Sequence, residues 1–178
     1  MPEFVKTYVR AVDRFNRMAG RAAMYLIFVM AAILLWSSFS KIALKPSLWT
    51  LEMAQFTMVA YYIIGGPYSM QTGDHVRMDL FYASWTQRTR AKVDTVTNLV
   101  LIFFLCVLLY GALSSTIYSL QVWERAHSVW RPYMWPIKLI AAFGIFLMLL
   151  QAVAEFFRDW ARARDEDWVK PMGRVMLP

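Results

Sequence analysis

The sequence predicts an all-α integral membrane protein with four transmembrane helices and both termini in the cytoplasm. Of its 178 residues, 59% are hydrophobic and 17% are charged, and the charges fall between four long apolar stretches. A helix needs about 20 apolar residues to cross the hydrocarbon core of a bilayer. Each stretch reaches that length, so the composition excludes an ordinary soluble domain.

The four transmembrane spans are predicted at about residues 22–41, 52–72, 95–118 and 134–157. Together they make a four-helix transmembrane domain of residues 22–157, followed by a cytoplasmic tail of residues 158–178. The fourth span contains Lys138 and Glu155 near its opposite ends, where long side chains reach the lipid headgroups. We therefore expect these two charges to face the two membrane surfaces.

Residues 1–21 precede the first span and place basic and apolar side chains on different sides of a helix. The basic residues recur every three or four positions: Lys6, Arg10, Arg14, Arg17 and Arg21. The pattern predicts an amphipathic helix lying on the cytoplasmic face of the membrane. The alternative is a cytoplasmic extension of the first span with a solvated basic face.

The distribution of Lys and Arg predicts the orientation of the spans. Fourteen of the nineteen lie before the first span, between the second and the third, or after the fourth. Cytoplasmic segments of membrane proteins carry the excess of basic residues. The N-terminus, the middle loop and the C-terminus are therefore predicted to be cytoplasmic. Membrane lipids, and not nucleic acid, are the expected partners of the net charge of +7.

Residue types that carry catalysis or hold cofactors are sparse. The two histidines, His75 and His127, are predicted on opposite sides of the bilayer, so a shared haem or metal is not expected. Cys106 is the only cysteine, which excludes an internal disulfide. The predicted spans carry no ionisable group near their middle, where a self-sufficient ion-coupled transporter would hold one. The sequence thus predicts no enzyme and no cofactor site, and a helix bundle of this kind usually serves a partner.

Several short motifs follow one another in and around the second span. They are Trp49-Thr50-Leu51-Glu52, Gly65-Gly66, Gly73-Asp74-His75-Val76-Arg77-Met78-Asp79-Leu80, and Arg88-Thr89-Arg90-Ala91 with Asp94. In order and spacing, over roughly residues 20 to 156, the chain resembles the small permease subunit of tripartite ATP-independent periplasmic (TRAP) transporters, the DctQ family. Gln55 and Pro67 depart from the usual pattern of that family.

This resemblance implies a place in a complex of the bacterial inner membrane. A large multi-span permease subunit would carry the substrate and sodium, and a periplasmic binding protein would deliver the substrate. The present chain would be a scaffold that holds the fixed helices of the elevator-type large subunit during uptake of an organic acid. It would hold no cofactor itself, because the sodium would be bound by the large subunit.

Seven residues of these motifs are the candidate contacts with partner subunits. Trp49 and Glu52 are predicted at the outer surface, Gly65 and Gly66 within the bilayer, and His75, Arg77 and Asp79 at the inner surface. Each also has a simpler interpretation. In that interpretation, Glu52 is a first-turn acid that complements the helix dipole, and His75 is an interfacial hydrogen-bonding residue. Arg77 and Asp79 would pair with each other. The two glycines would mark a helix kink or a close-packing point.

Two other functions stay open from the sequence alone. One is a membrane anchor that binds haem or quinone beside a soluble redox enzyme. The other is a self-sufficient small exporter that works as a homodimer. A Soret band in the absorbance of the purified chain would indicate the first, and substrate flux through proteoliposomes holding only this chain would indicate the second.

Overall fold

The computed structural model describes residues 3–43, 47–72 and 87–163, and within them the only β-structure is one isolated bridge. Four helices follow one another: α1 (Glu3–Ala43), α2 (Thr50–Thr72), α3 (Gln87–Gln121) and α4 (Trp135–Ala163). Long uncharged stretches form helices in a bilayer because a helix satisfies all its backbone hydrogen bonds internally. The predicted all-α class is confirmed.

Three of the helices, α1, α3 and α4, are long and apolar enough to cross a membrane. The 23 residues of α2 give it sufficient length, but Glu52, Gln55 and Gln71 interrupt its apolar sequence, and it is not among the helices that are apolar enough. The three apolar helices support a multi-pass membrane protein. A crossing by α2, and with it the count of four spans, stays a prediction.

The basic segment before the first span is the beginning of α1 and not a separate helix. The helix runs through it without a break. Val9 and Val12 are buried against Ala154 of α4, and the Tyr8 hydroxyl donates a hydrogen bond to the Leu150 carbonyl oxygen at 3.3 Å. These contacts hold the segment against α4, and its position at the cytoplasmic face of the membrane stays a prediction.

The helices form an open layer in the order α1–α2–α4–α3. The main packing contacts join α1 to α2, α2 to α4, and α4 to α3, and a smaller contact joins α1 to α4. Leu105 of α3 packs with Ile145 and Ala152 of α4 in the apolar core of that pair. The helices α1 and α3 therefore stand at the two edges of a row.

Glycines allow α2 and α4 to approach closely in the middle of the layer. A Cβ atom on Gly144 would overlap the side chain of Ile63 and lie 3.1 Å from its carbonyl carbon. A Cβ atom on Gly66 would lie 3.1 Å from the sulfur of Met148. Small residues permit such close helix packing in membranes. The helix α2 continues past Pro67, which is itself buried.

Both ends of the described chain lie at the same end of the layer. Asp13, near the start of α1, pairs with Arg158, near the end of α4, and the Gln71 amide, near the end of α2, donates to the Asp13 carbonyl oxygen at 3.1 Å. We call this end, marked by Asp13, Gln71 and Arg158, the inner end. The opposite end, which holds Thr50 and the α3–α4 connection, is the outer end.

Candidate partner interface

The edges of the layer are its most open surfaces. In the most apolar part of α1, and likewise of α3, only 6% of the residues are buried, whereas the figure for α4 is 44%. Large apolar side chains such as Phe28 on α1 and Phe103 on α3 are exposed. These two helices therefore present surface to lipid or to the helices of another subunit.

Gly65 faces a hollow between α1 and α2, which we call the α1–α2 hollow. A Cβ atom on Gly65 would meet no other atom within 4 Å. The hollow has a volume of about 460 Å³, and Gly20, Tyr61 and Tyr62 are among its lining residues. Gly66 also lines this hollow, but a Cβ atom on it would lie 3.1 Å from the Met148 sulfur on α4. Of the two glycines predicted to contact a partner, Gly65 is therefore the one with open space beside it.

The outer end of α2 carries two further candidate residues. Trp49 is exposed, and its carbonyl oxygen accepts a hydrogen bond from the N–H of Met53 at 3.1 Å. Glu52 is half-buried in the first turn of α2, and its buried Oε2 accepts no hydrogen bond from the described residues. A buried carboxylate oxygen is costly unless a donor satisfies it. Glu52 thus offers an acceptor to a donor outside the described residues.

Thr50 fixes the outer end of the α1–α2 pair. Its hydroxyl oxygen lies 3.0 Å from those of Ser37 on α1 and Ser47 in the connection. It also lies 3.1 Å from the carbonyl oxygen of Ser47. Thr50 was predicted only as part of a motif, and its position at the start of a helix is the sequence signal for such a polar contact.

The α3–α4 connection, residues 122–134, is an ordered structure that we call the outer hairpin. The N–H of Ala126 donates to the Pro132 carbonyl oxygen at 2.9 Å. The Arg125 guanidinium lies 4.5 Å from the centre of the Tyr133 ring and donates to the Tyr133 hydroxyl at 2.6 Å. These contacts fix the hairpin while leaving exposed apolar side chains at the outer end of the layer: Trp123, Val129 and Trp130.

Lys138, which was predicted near a membrane surface, belongs to this outer structure. Its ammonium donates to Glu124 Oε2 at 2.6 Å, and the Ser119 hydroxyl donates to the same oxygen at 2.8 Å. The Lys138 ammonium, and after it the Ser119 hydroxyl, holds the pKa of Glu124 below its ordinary value of 4.5. The pair ties the outer hairpin to the first turn of α4.

A group of polar side chains joins three helices at the inner end, and we call it the inner polar cluster. Its members are Asp13 and Asn16 of α1, Gln71 of α2, and Gln151, Glu155 and Arg158 of α4. Arg158 forms ion pairs with both Asp13 and Glu155. Gln151 donates to Asp13 Oδ1 at 3.3 Å and accepts from the Asn16 amide at 2.8 Å.

This cluster was not predicted from the sequence. The sequence predicted Glu155 at the membrane surface and Arg158 in the cytoplasmic tail, whereas Arg158 lies in α4 and pairs with both Glu155 and Asp13 of α1. The spacing of Gln151, Glu155 and Arg158 at four and three residues places them on one side of α4. That pattern, together with Asp13 and Asn16 three residues apart on α1, is the signal that could have revealed it.

The remaining candidate contacts, His75, Arg77 and Asp79, lie outside the described residues. Within residues 3–43, 47–72 and 87–163, no three side chains of His, Cys, Asp or Glu come together as metal ligands would. The described residues form polar contacts between elements at the two ends of the layer. They leave apolar surface exposed along its two edges.

The chain is a row of long apolar helices that polar contacts join at both ends. This is the architecture of a multi-pass membrane protein. The family model of the DctQ component of tripartite ATP-independent periplasmic transporters matches residues 30–162. Because this match covers most of the 178 residues, the chain belongs to that family, which is a family of transporter components and not of enzymes. The resemblance found in the sequence motifs is confirmed. Neither a curated protein nor a solved structure matches the chain.

Proposed function

We propose that the chain is the small scaffold subunit of a TRAP transporter in the inner membrane of a bacterium. It spans the membrane four times with both termini in the cytoplasm. It supports the large elevator-type subunit during sodium-coupled uptake of an organic acid that a periplasmic binding protein delivers. Family membership supports the transport role, and the excess of Lys and Arg in three segments supports the orientation.

The open layer is the observation that carries the scaffold role. Transporters hold substrate and coupling ions near the bilayer midplane, at sites enclosed by several helices. In the described part of this chain, the charged contacts between helices gather at the ends, as in the Asp13–Arg158 pair at the inner end and the Glu124–Lys138 pair at the outer end. A row of helices with apolar edges is suited to support another membrane protein.

The α1–α2 hollow is the proposed seat for a transmembrane helix of the large subunit. Helices associate in lipid where small residues allow close approach, because lipid tails are as apolar as the side chains they replace. Gly20 and Gly65 lie beside the hollow, and Gly65 has room next to it. Trp49 and Glu52 extend the proposed interface to the outer surface, where a donor from the partner would satisfy Glu52. His75, Arg77 and Asp79 extend it to the inner surface.

Gly65→Leu tests this seat, and Gly111→Leu on α3 is its matched control. A Cβ atom on either glycine would meet no atom within 4 Å in this chain, so both variants are expected to fold. Gly65→Leu fills the proposed seat and should lower co-purification with an affinity-tagged large subunit at least about ten-fold. Gly111→Leu should leave co-purification near the wild-type level. Equal recovery of the two variants would exclude the α1–α2 hollow as the seat.

The scaffold role itself is tested by reconstitution. Proteoliposomes that hold both subunits and the binding protein should take up the acid that the binding protein carries, when sodium is supplied on the outside. Vesicles that lack the present chain should not. Full uptake by the large subunit without it, or uptake by this chain alone, would contradict the scaffold role.

A further inference from the structure

The first half of α1 carries a line of basic side chains that the proposed function leaves unused. Its members are Lys6, Arg10, Arg14, Arg17 and Arg21. At 3.6 residues per turn these positions fall within about 80° around the helix. All except Lys6 are exposed. Among the described residues only Lys6 has a carboxylate partner, Glu3 at 2.9 Å.

The packing of α1 fixes the direction in which this line faces. Val9, Val12 and Asn16 lie on the other side of the helix and are buried. The Asn16 amide donates to Gln151 of α4 at 2.8 Å. Because these contacts prevent the helix from turning about its axis, the basic side chains point away from the rest of the chain.

The same packing sets the depth of Arg10 and Arg14 relative to the membrane. Asp13, between them in sequence, pairs with Arg158 of α4. The predicted fourth span ends at residue 157, so this pair lies next to the inner surface of the hydrocarbon core. Arg14 follows Asp13 directly, and Arg10 lies three residues, about 4.5 Å, further from the span. Their long side chains therefore reach the lipid phosphates.

A hollow on the surface of α1 combines these charges with apolar side chains, and we call it the basic hollow. Its volume is about 470 Å³, and the described residues that line it are Thr7, Arg10, Ala11, Arg14, Phe15 and Met18. Phe15 and Met18 are 44% and 65% exposed. Met18 lies nearer the membrane span than Thr7 and Arg10, so the hollow changes from polar to apolar in the direction of the bilayer.

We propose that the basic hollow binds an anionic phospholipid of the inner leaflet. The guanidinium groups of Arg10 and Arg14 bind the headgroup phosphate, since Arg donors match phosphate oxygens in geometry and charge. The start of an acyl chain lies along Phe15 and Met18. The polarity of the hollow matches the orientation of a lipid in that leaflet, and its charge selects an anionic headgroup.

Binding is measured on the full chain by native mass spectrometry, from micelles that hold phosphatidylglycerol and phosphatidylcholine in equal amounts. The wild type should retain more phosphatidylglycerol than phosphatidylcholine. The variant Arg10→Gln/Arg14→Gln should bind it about 30-fold more weakly, from the usual contribution of a basic residue near an anionic surface. Arg10→Lys/Arg14→Lys keeps the charge and should retain most of the binding. Phe15→Ser should weaken lipid binding while leaving the charge unchanged.

The matched control is Lys41→Gln/Arg131→Gln, which removes two exposed basic residues at the other end of the layer. It should bind phosphatidylglycerol as the wild type does. The proposal is overturned if the wild type retains the two lipids equally, or if the control loses as much binding as Arg10→Gln/Arg14→Gln. It is also overturned if inorganic phosphate at millimolar concentration displaces the lipid completely, since the hollow would then be a site for a free anion.

Discussion

Replacing Arg158 with Met tests whether the inner polar cluster holds α1 against α4. The Arg158 side chain is 9% exposed, and its partners Asp13 and Glu155 are 18% and 17% exposed. Met fills a similar volume but leaves two carboxylates without their shared cation. Removing one partner of a buried ion pair costs about 3–5 kcal/mol. Since both carboxylates retain some contact with water, we expect about 3 kcal/mol, a factor of about 150 in the unfolding equilibrium.

A second variant separates the loss of charge pairing from the loss of the arginine itself. The triple variant Asp13→Asn/Glu155→Gln/Arg158→Met removes all three charges and keeps their approximate volumes. Replacing a whole buried ionic group is often nearly neutral, so the triple variant should lie within about 1 kcal/mol of the wild type. The assay is reversible unfolding of the purified chain in mixed micelles, followed by circular dichroism.

The control for this series is Arg131→Met, since Arg131 is exposed in the outer hairpin. Its stability should change by less than about 0.5 kcal/mol. Two results would refute the reasoning. One is an equal, small effect of Arg158→Met and Arg131→Met. The other is a triple variant as unstable as Arg158→Met, which would show that lost packing, and not unpaired charge, is responsible.

Three further variants test the middle and the outer end of the layer. Gly144→Leu should separate α2 from α4 at Ile63 and destabilise the chain by about 1–3 kcal/mol in the same unfolding assay; wild-type stability would contradict the close approach. The folded-state pKa of Glu124 lies below 4.5. The ion pair with Lys138 should therefore stabilise the outer hairpin above pH 4.5. This stabilisation should be lost as the pH falls through the folded-state pKa and Glu124 is protonated. Hydrogen-exchange protection factors of the hairpin should fall in this acidic range, and Glu124→Gln should remove the pH dependence. Tyr133→Phe keeps the ring under the guanidinium and loses one hydrogen bond, so unfolding should show a loss of no more than about 1 kcal/mol; a larger loss would mean that the hydroxyl has another role.

The positions of the helices could be predicted from the sequence because the length of an apolar stretch is a local property. The behaviour of α2 shows where such a prediction weakens. This helix lies between α1 and α4, which cover two of its sides, and its Gln71 is buried there against α1, whereas Gln55 is exposed. A helix in the middle of a layer need not be as apolar as one at its edge, and hydropathy alone gives no indication of which position a helix takes.

The inner polar cluster could not be predicted for a different reason. A charge near the end of a span has two favourable positions, in the headgroup layer or in a pair with another helix, and local sequence does not distinguish them. Asp13 and Arg158 are far apart along the chain, so their pairing depends on how α1 packs on α4. The same dependence explains why the separate roles of Gly65 and Gly66 emerged only from the structure. Adjacent residues on a helix point in different directions, and the neighbour that each one meets is set by the helix order.

The polar contacts restrict the movements that the layer can make. At the outer end, the Thr50 hydroxyl of α2 lies 3.0 Å from the Ser37 hydroxyl oxygen of α1. At the inner end, the Gln71 amide of α2 donates to the Asp13 carbonyl oxygen of α1. Sliding one helix along the other would break directional hydrogen bonds at both ends together, while the apolar contacts between them would change little. The glycine contacts between α2 and α4 oppose their closer approach. The layer should therefore move as one body, and its open edges are the parts that remain available to a partner. A subunit that stays fixed while its neighbour carries substrate across the membrane needs this combination of internal rigidity and exposed surface.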